Sequence, residues 1–278
     1  MPVCTIITPV HNHWHLVPRL LACLAAQTLP QDSFEIVLVE NLSDDFTPPE
    51  QLPSNARIEH CNLPGSYAAR NHGVEYATGD WLVFTDADCL PRPDWLETLM
   101  DRAGQADDNT ILAGAVEMIA QNDPPNRWEI YDLVRGIPQE WYVKRGYAAT
   151  ANLAVAADLM AQTGGFDARR KSGGDAEFCR KALKENATLM YLAGAVVEHP
   201  ARTTRDELIE KTRRIKAAQV ESGDWRWLRA FAPPFIEIWR YLQSKCWPMR
   251  FRLIASAMQL SLWPVEIVQV LKARRKSG

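Results

Sequence analysis

Asp86 and Asp88 stand one residue apart at the end of Trp81-Leu82-Val83-Phe84-Thr85-Asp86-Ala87-Asp88-Cys89. The preceding run is short and apolar, as in a buried strand, and positions i and i+2 of an extended backbone face the same side. Two carboxylates converging at a strand's C-terminal end are hard oxygen ligands that suit Mg²⁺ or Mn²⁺ shared with a substrate diphosphate. A solvated turn after a strand would carry the same residues, so this motif alone does not decide. His11, His13 and His15 alternate and also suggest a metal site. The chain turns there after Pro9 and no fourth ligand is evident, which argues against one.

The elements that must position these residues alternate. Val3 to Thr8 is a β-branched run that Pro9 stops, and Leu16, Leu20 and Leu24 mark a helix through about Gln27. Glu35–Val39 is a second strand running into Glu40 and Asn41, and a shorter one lies near Ile58. Ser66 to Ala77 reads as a helix closed by Gly79, and the strand bearing Asp86 follows. Asp94 with Glu97 resembles a capping box that opens another helix. This alternation predicts an α/β sheet with mostly parallel strands, in which ligands sit beyond the carboxyl ends near a switch in strand order. Polar groups do stand at three of the four strand ends: His11 and Asn12, Glu40 and Asn41, Asp86 and Asp88.

The middle of the chain is less regular. Pro124 to Tyr147 reads as loop-rich, and short helices are expected after Asp158 and Asp175. Strands near Leu189 and Val196 lead to His199. Thr204 with Glu207 forms a second capping box, and Gly223 is expected to end its helix. On that helix Lys211, Arg213, Arg214 and Lys216 read as a solvated face, with a contact to a diphosphate as the other use of their charge. Pro233-Pro234 marks the boundary between an expected catalytic domain, 1–232, and a tail, 233–278, that Pro248 and Pro264 cut into three short segments.

At 278 residues the chain can bury a sizeable core, and its net charge is a modest −3. The charge is uneven. From Ala201 onward there are 16 Lys and Arg against 7 Asp and Glu, a balance of +9, while residues 1–200 hold 15 against 27, a balance of −12. Such asymmetry points to an anionic contact. In the tail Trp239, Trp247 and Trp263 are interleaved with Arg and Lys, a pattern suited to an anionic membrane interface or to packing on another surface. The six cysteines are scattered without a C-x-x-C pair, so reduced thiols, and with them the cytoplasm, are expected. Neither a signal peptide nor a run of about 20 apolar residues is seen.

Taken in order, these pieces resemble a family 2 glycosyltransferase of the GT-A type over roughly Val3 to Pro200. Thr8-Pro9-Val10-His11-Asn12 is similar to the family's opening strand-turn, and Val39-Glu40-Asn41-Leu42-Ser43-Asp44-Asp45 to its nucleoside-binding acidic loop. Gly65 with Ala69-Arg70-Asn71-His72-Gly73 resembles the helix before the D-x-D strand. Gly164-Gly165-Phe166-Asp167 matches the G-G-F-D turn, and Asp175-Ala176-Glu177 falls where the family carries its catalytic acidic pair. The resemblance implies a GT-A sheet and the inverting transfer of one hexosyl-type sugar from a nucleotide sugar, commonly a UDP-sugar, to a hydroxyl of a glycan or lipid-linked acceptor. It implies that Asp88, Asp86 and His199 hold Mn²⁺ or Mg²⁺, with a structural role as the other reading of His199. Donor contacts are implied for Pro9, Asn12, Glu40, Asn41, Arg70, Asp86 and Ala87, and Asn152 is placed in the sugar or acceptor pocket. Asp175 is the implied base, a role worth about 10²–10⁴-fold. No nucleic-acid partner is expected, and a role in envelope polysaccharide assembly follows from the same resemblance.

Several positions depart from the family pattern. Asn41 stands where a second acid is common, and Gly174 stands where the acidic neighbour of the base is common. Asp175 is also a favoured helix cap, and Glu177 is a rival base. Arg70 has a helix-face ion pair as its alternative to a phosphate contact. Processive synthases carry Q-x-x-R-W, which this sequence lacks. A nucleotidyltransferase, or a sugar-nucleotide-binding or membrane-scaffold protein without turnover, remain the alternative readings of the whole chain.

Overall fold

The protein was analysed as a computed structural model, which describes residues 2–44, 46–221 and 225–277. Asp45, in the acidic loop, and Gly223, the expected helix end, lie outside the described residues. In chain order the elements are β1 (Cys4–Val10), α1 (Val17–Ala25), β2 (Phe34–Glu40), β3 (Ala56–His60), α2 (Ser66–Val74), β4 (Trp81–Thr85), β5 (Leu90–Pro91) and α3 (Trp95–Ala103). There follow β6 (Thr110–Ile119), α4 (Arg127–Arg135), α5 (Gln139–Val143), β7 (Asn152–Ala156), α6 (Ala157–Thr163), α7 (Gly174–Lys184) and β8 (Thr188–Pro200). The chain ends with α8 (Arg205–Glu221), a 3-10 helix (Trp225–Phe231), α9 (Phe235–Gln243) and α10 (Met249–Ser277).

The chain divides into two compact units, residues 1–117, 138–170 and 174–199, and residues 118–137, 171–173 and 200–278. The expected boundary at 232 does not follow this division, because α4 and α8 share the second unit with the tail helices.

The sheet of the first unit has the order β3-β2-β1-β4-β7-β6-β8-β5. β1 pairs in parallel with β2 and β4, and β2 with β3, while β7 runs antiparallel to β4 and β6. Ile6, Ile7, Val37, Leu38, Val39, Val83 and Phe84 are fully buried, as expected of strands covered on both faces. Strand order reverses between β1 and β4, which puts the ends of these two strands at the crevice where such sheets bind ligands.

Pro9 does not stop β1, which runs through it to Val10. The β4 partnership ends at Ile7, so the imino nitrogen of Pro9 interrupts no ladder bond on that side. α2 ends at Val74, short of Ala77. Asp94 makes no capping bond, and Glu97 instead accepts from the Thr28 hydroxyl at 2.6 Å. A complete capping box closes on Asn126 and Glu129 within the stretch expected to be loop, where α4 and α5 form. The Thr204–Glu207 box is present. Pro264 does not cut the tail: α10 continues past it and is long and apolar enough to cross a membrane.

The basic face expected on α8 is only partly solvated. Lys211 turns inward to Asp132 at 3.1 Å and Lys216 pairs with Glu266 at 2.8 Å, whereas Arg213 stays outside with Glu210. The buried Asp132 carboxylate is shared by Lys211 and by Arg202, 3.0 Å away. Burial pushes that carboxyl up, but Lys211, Arg202 and Arg135 outweigh it and hold it far below the usual range. With three cations around one carboxylate, Lys211 loses by the arrangement. Burial, together with Arg202 and Arg135, pulls its ammonium down to about 7 against the pull of Asp132.

Candidate active site

β4 ends at Thr85, whose hydroxyl is tied to Ala151 O at 3.0 Å, and the chain then turns tightly with Cys89 N–H bonded to Asp86 O at 3.1 Å. The two carboxylates therefore converge through a turn and not through strand alternation. Ala87 between them is buried in the core, so its side chain anchors the turn. A second strand pair completes the cluster. Antiparallel pairing sets Leu90 opposite Glu198, and one further step along that register brings His199 beside the turn. Arg92 fixes the pairing through its N–H to Val196 O at 3.1 Å and its guanidinium to Glu198, also at 3.1 Å.

Ligand atoms of Asp86, Asp88, Cys89 and His199 all lie within 4.8 Å of one another. His199 Nε2 is 3.6 Å from Asp88 Oδ2, and the His199 side chain is 5% exposed against 28% for Asp88. Two carboxylate oxygens and one imidazole suit Mn²⁺ or Mg²⁺. Burial, with Asp88 and Asp86 close by, pushes the Cys89 thiol well up, so it remains a poor ligand for a hard cation. His11, His13 and His15 form no such cluster among the described residues.

α2 organises the site from one face. Tyr67, Arg70 and Asn71 stand at helical spacing i, i+3, i+4 and reach three different partners. Arg70, almost fully buried, pairs with Asp86 at 2.5 Å and donates to Ser66 O at 3.3 Å, while its buried Nε has no hydrogen-bond partner. That orphaned donor beside two acids is the kind of gap an anionic ligand would close. The Asn71 amide clamps the turn at Phe166, accepting from Phe166 N at 2.9 Å and donating to Phe166 O at 2.7 Å. Gly164 and Gly165, both at positive φ (70° and 73°), let the backbone make that turn.

The Tyr67 hydroxyl donates to Asp175 Oδ1 at 3.3 Å, and Ala176 N–H donates to the same oxygen at 2.8 Å. Asp175, inside the first turn of α7, therefore accepts one N–H of that turn and also faces Tyr67. Burial raises its carboxyl above the usual range, while the Ala176 N–H, the Arg70 charge and the Tyr67 hydroxyl pull the other way. Gly174 explains the missing acidic neighbour. A Cβ there would come within 2.8 Å of Tyr67 ring carbons, so any larger residue would displace the ring. Tyr67 was not recognised in the sequence, where nothing links it to a carboxylate 108 positions away.

Four residues expected to contact the donor are wholly or partly withdrawn from solvent. Asn152 is fully buried, with its amide accepting from Trp95 Nε1 and donating to Ala115 O and Ala195 O, which leaves nothing for a sugar. Asn41 is likewise committed: it donates to Cys61 O and Leu63 O and accepts from Gly65 N, pinning the loop that opens α2. Glu40 is buried and accepts from Trp14 Nε1 and from the Ser43 N–H and hydroxyl. Burial raises the Glu40 carboxyl, but those bonds outweigh it and hold it below the usual range. Pro9 is half-buried within β1. Asn12, by contrast, is exposed at the end of β1 in a left-handed conformation (φ 58°), exchanging bonds with Asp44.

A crossover sheet with two acids at its switch point and a histidine of a later strand beside them is the arrangement of the GT-A fold. The profile described as Glycosyl transferase family 2 matches residues 5–172. Glycosyltransferase AglE of Haloferax volcanii is 31% identical over 231 residues, which cover 80% of this chain and 74% of that protein. Pre-mycofactocin glycosyltransferase of Mycobacterium tuberculosis is 30% identical over 220 residues, 74% of this chain but 45% of that protein, so the chain spans under half of it. Among solved structures, mannosyltransferase PcManGT from Pyrobaculum calidifontis, in complex with GDP-Man and Mn²⁺, superposes with a TM-score of 0.58 at 19% identity, covering 98% of this chain and 74% of that one. S. aureus TarS 1-349 in complex with UDP-GlcNAc gives 0.54 at 16% identity, covering 98% and 79%. The chain belongs to glycosyl transferase family 2. It is a glycosyltransferase, and the nucleotidyltransferase reading falls.

Proposed function

We propose that this enzyme transfers one sugar, with inversion, from a UDP-sugar to a hydroxyl of a glycan or lipid-linked acceptor in envelope polysaccharide assembly. The observation that carries the reading is the convergence of Asp86, Asp88 and His199 within 4.8 Å, on the same crevice edge that α2 links to Asp175 through Tyr67 and Arg70. Likeness to proteins solved with GDP-Man and Mn²⁺ or with UDP-GlcNAc supports a nucleotide-sugar donor.

Asp175, ionised and held by Tyr67, accepts the proton of the acceptor hydroxyl. That oxygen attacks the anomeric carbon from the side opposite the nucleoside diphosphate. The new C–O bond forms as the bond to the diphosphate breaks, and the diphosphate leaves with the electron pair. Mn²⁺ or Mg²⁺ bound by Asp88, Asp86 and His199 would neutralise the leaving diphosphate. Arg70 adds a fixed positive charge on the same side, its Nε free to donate to a phosphate oxygen. Asn12 and the exposed end of β1 border the donor side. The enzyme works at the cytoplasmic face of a membrane, in peripheral contact with anionic lipid.

Calorimetric titration with UDP, GDP and dTDP, each with and without Mn²⁺, tests the donor reading. Manganese-dependent binding of UDP that Asp88→Ala abolishes is the expected result. Metal-independent binding, or a preference for another nucleotide, overturns the corresponding part.

A further inference from the structure

α10 is apolar on both of its sides: Ala255, Met258, Leu262 and Val270 are buried within the second unit. Its polar residues Ser256, Gln259 and Gln269 are buried within the second unit. Gln259 accepts from the Tyr131 and Tyr241 hydroxyls at 2.9 and 3.0 Å and donates to Glu266 at 3.1 Å, and Glu266 pairs with Lys216. Facing outward are Met249, Leu253, Leu260, Val268 and Leu271, each between 44% and 56% exposed. With the exposed Ala257 and Pro264 between them, these residues recur every three or four positions. At about 1.5 Å per residue, they form one apolar stripe on the order of 33 Å long. Phe235, Ile236 and Trp239 on α9 expose a further apolar face, each at 64% or more.

No charge interrupts the stripe, and the charges beside it have one sign. Lys245 and Arg250 are exposed at one end of α10, and Lys272 and Arg275 at the other. From Phe235 onward the chain carries 8 Lys and Arg against only Glu237 and Glu266, the latter already paired inward. Two copies joined through this face would bring like charges together. An anionic bilayer receives the apolar stripe and the basic rim at once. The inward bonds of Gln259 and Glu266 hold one side of α10 to its own unit, which suits a helix lying along the surface and not across it.

We propose that the exposed face of α9 and α10 is a membrane-docking surface, embedded along its length in the headgroup region of an anionic bilayer. The proposal rests on the membrane contact put forward above and names the face that makes it; it does not depend on the chemistry at Asp88.

The test is flotation of the full chain with vesicles of phosphatidylcholine containing phosphatidylglycerol, against phosphatidylcholine alone. Leu253→Glu/Leu260→Glu is the variant and Lys144→Glu, just after α5, the control. Both changes sit at exposed positions, and thermal melts confirm folding. The wild type, Lys144→Glu and Asp88→Ala should bind the anionic vesicles, more weakly at high salt, while the double variant loses at least about tenfold in partitioning. A wild type that stays with the soluble fraction overturns the membrane contact itself. Undiminished binding by the folded double variant overturns only the assignment of this face. A wild-type dimer that the double variant splits would make the face a contact between copies and overturn the proposal as well.

Discussion

The hydroxyl of Tyr67 donates to the carboxylate of Asp175 at 3.3 Å, and Gly174 is the residue that allows the ring to lie there. Burial, with Asp175 beside it, raises the Tyr67 phenol far enough that it stays protonated and acts as a donor. With Asp175 as base, activity falls as pH drops through its raised carboxyl value, so the acid limb of kcat sits above the ordinary Asp range of about 3.9. Tyr67→Phe removes a bond that favours the ionised form. It should move that limb to higher pH and lower kcat by about tenfold, with the KM for donor unchanged. Asp175→Asn should lower kcat by at least about 10²-fold. A pH–rate profile of Tyr67→Phe superposing on the wild type would remove Tyr67 from the reaction.

The cluster at the end of β4 makes a prediction about metal. His199→Ala should weaken Mn²⁺ binding by more than about tenfold, since it removes one of three donors, and Asp88→Ala should abolish it. Titration of the enzyme with Mn²⁺, followed by water proton relaxation, reads both. An unchanged affinity in His199→Ala would leave that histidine a structural role only.

Asn152 separates a site residue from a structural one. Asn152→Ala strands Trp95 Nε1, Ala115 O and Ala195 O inside the sheet, a loss of about 2–4 kcal/mol in urea unfolding. The variant that still folds should keep its donor KM within about twofold. A large rise in KM with unchanged stability would restore the residue to the pocket.

Asp132 anchors the second unit electrostatically. Asp132→Ala leaves Lys211, Arg202 and Arg135 without their shared counter-charge and should cost about 3–5 kcal/mol. Lys211→Met should cost less than about 1 kcal/mol, because burial already disfavours that ammonium. The contribution of Asp132 is present above the ordinary carboxylate range and is lost only as pH falls through its depressed value. Urea midpoints for both variants at neutral pH, followed by tryptophan fluorescence, check the order.

The order of strands and helices up to β4 was legible because it rests on local periodicity, and the resemblance was legible because its motifs keep their order. What stayed illegible is the use of residues whose partners are distant in the chain. Glu40, Asn41 and Asn152 are polar residues at family-like positions, and the sequence does not say that internal groups already occupy them. Pro264 was read as a break, yet an exposed proline leaves a long helix continuous when the rest of that helix packs.

By itself the amino-acid sequence determined the α/β alternation, the pair Asp86 and Asp88 at a strand end, and the basic balance of the last third, since each follows from residue type and spacing. Only the tertiary structure decided that a turn brings the two acids together and strand pairing sets His199 beside them, that Tyr67 meets Asp175, and that α10 turns Gln259 and Gln269 inward and Leu253, Leu260 and Leu271 outward. Those are relations between segments brought together by packing, and hydrophobic periodicity along one segment carries no record of its neighbour.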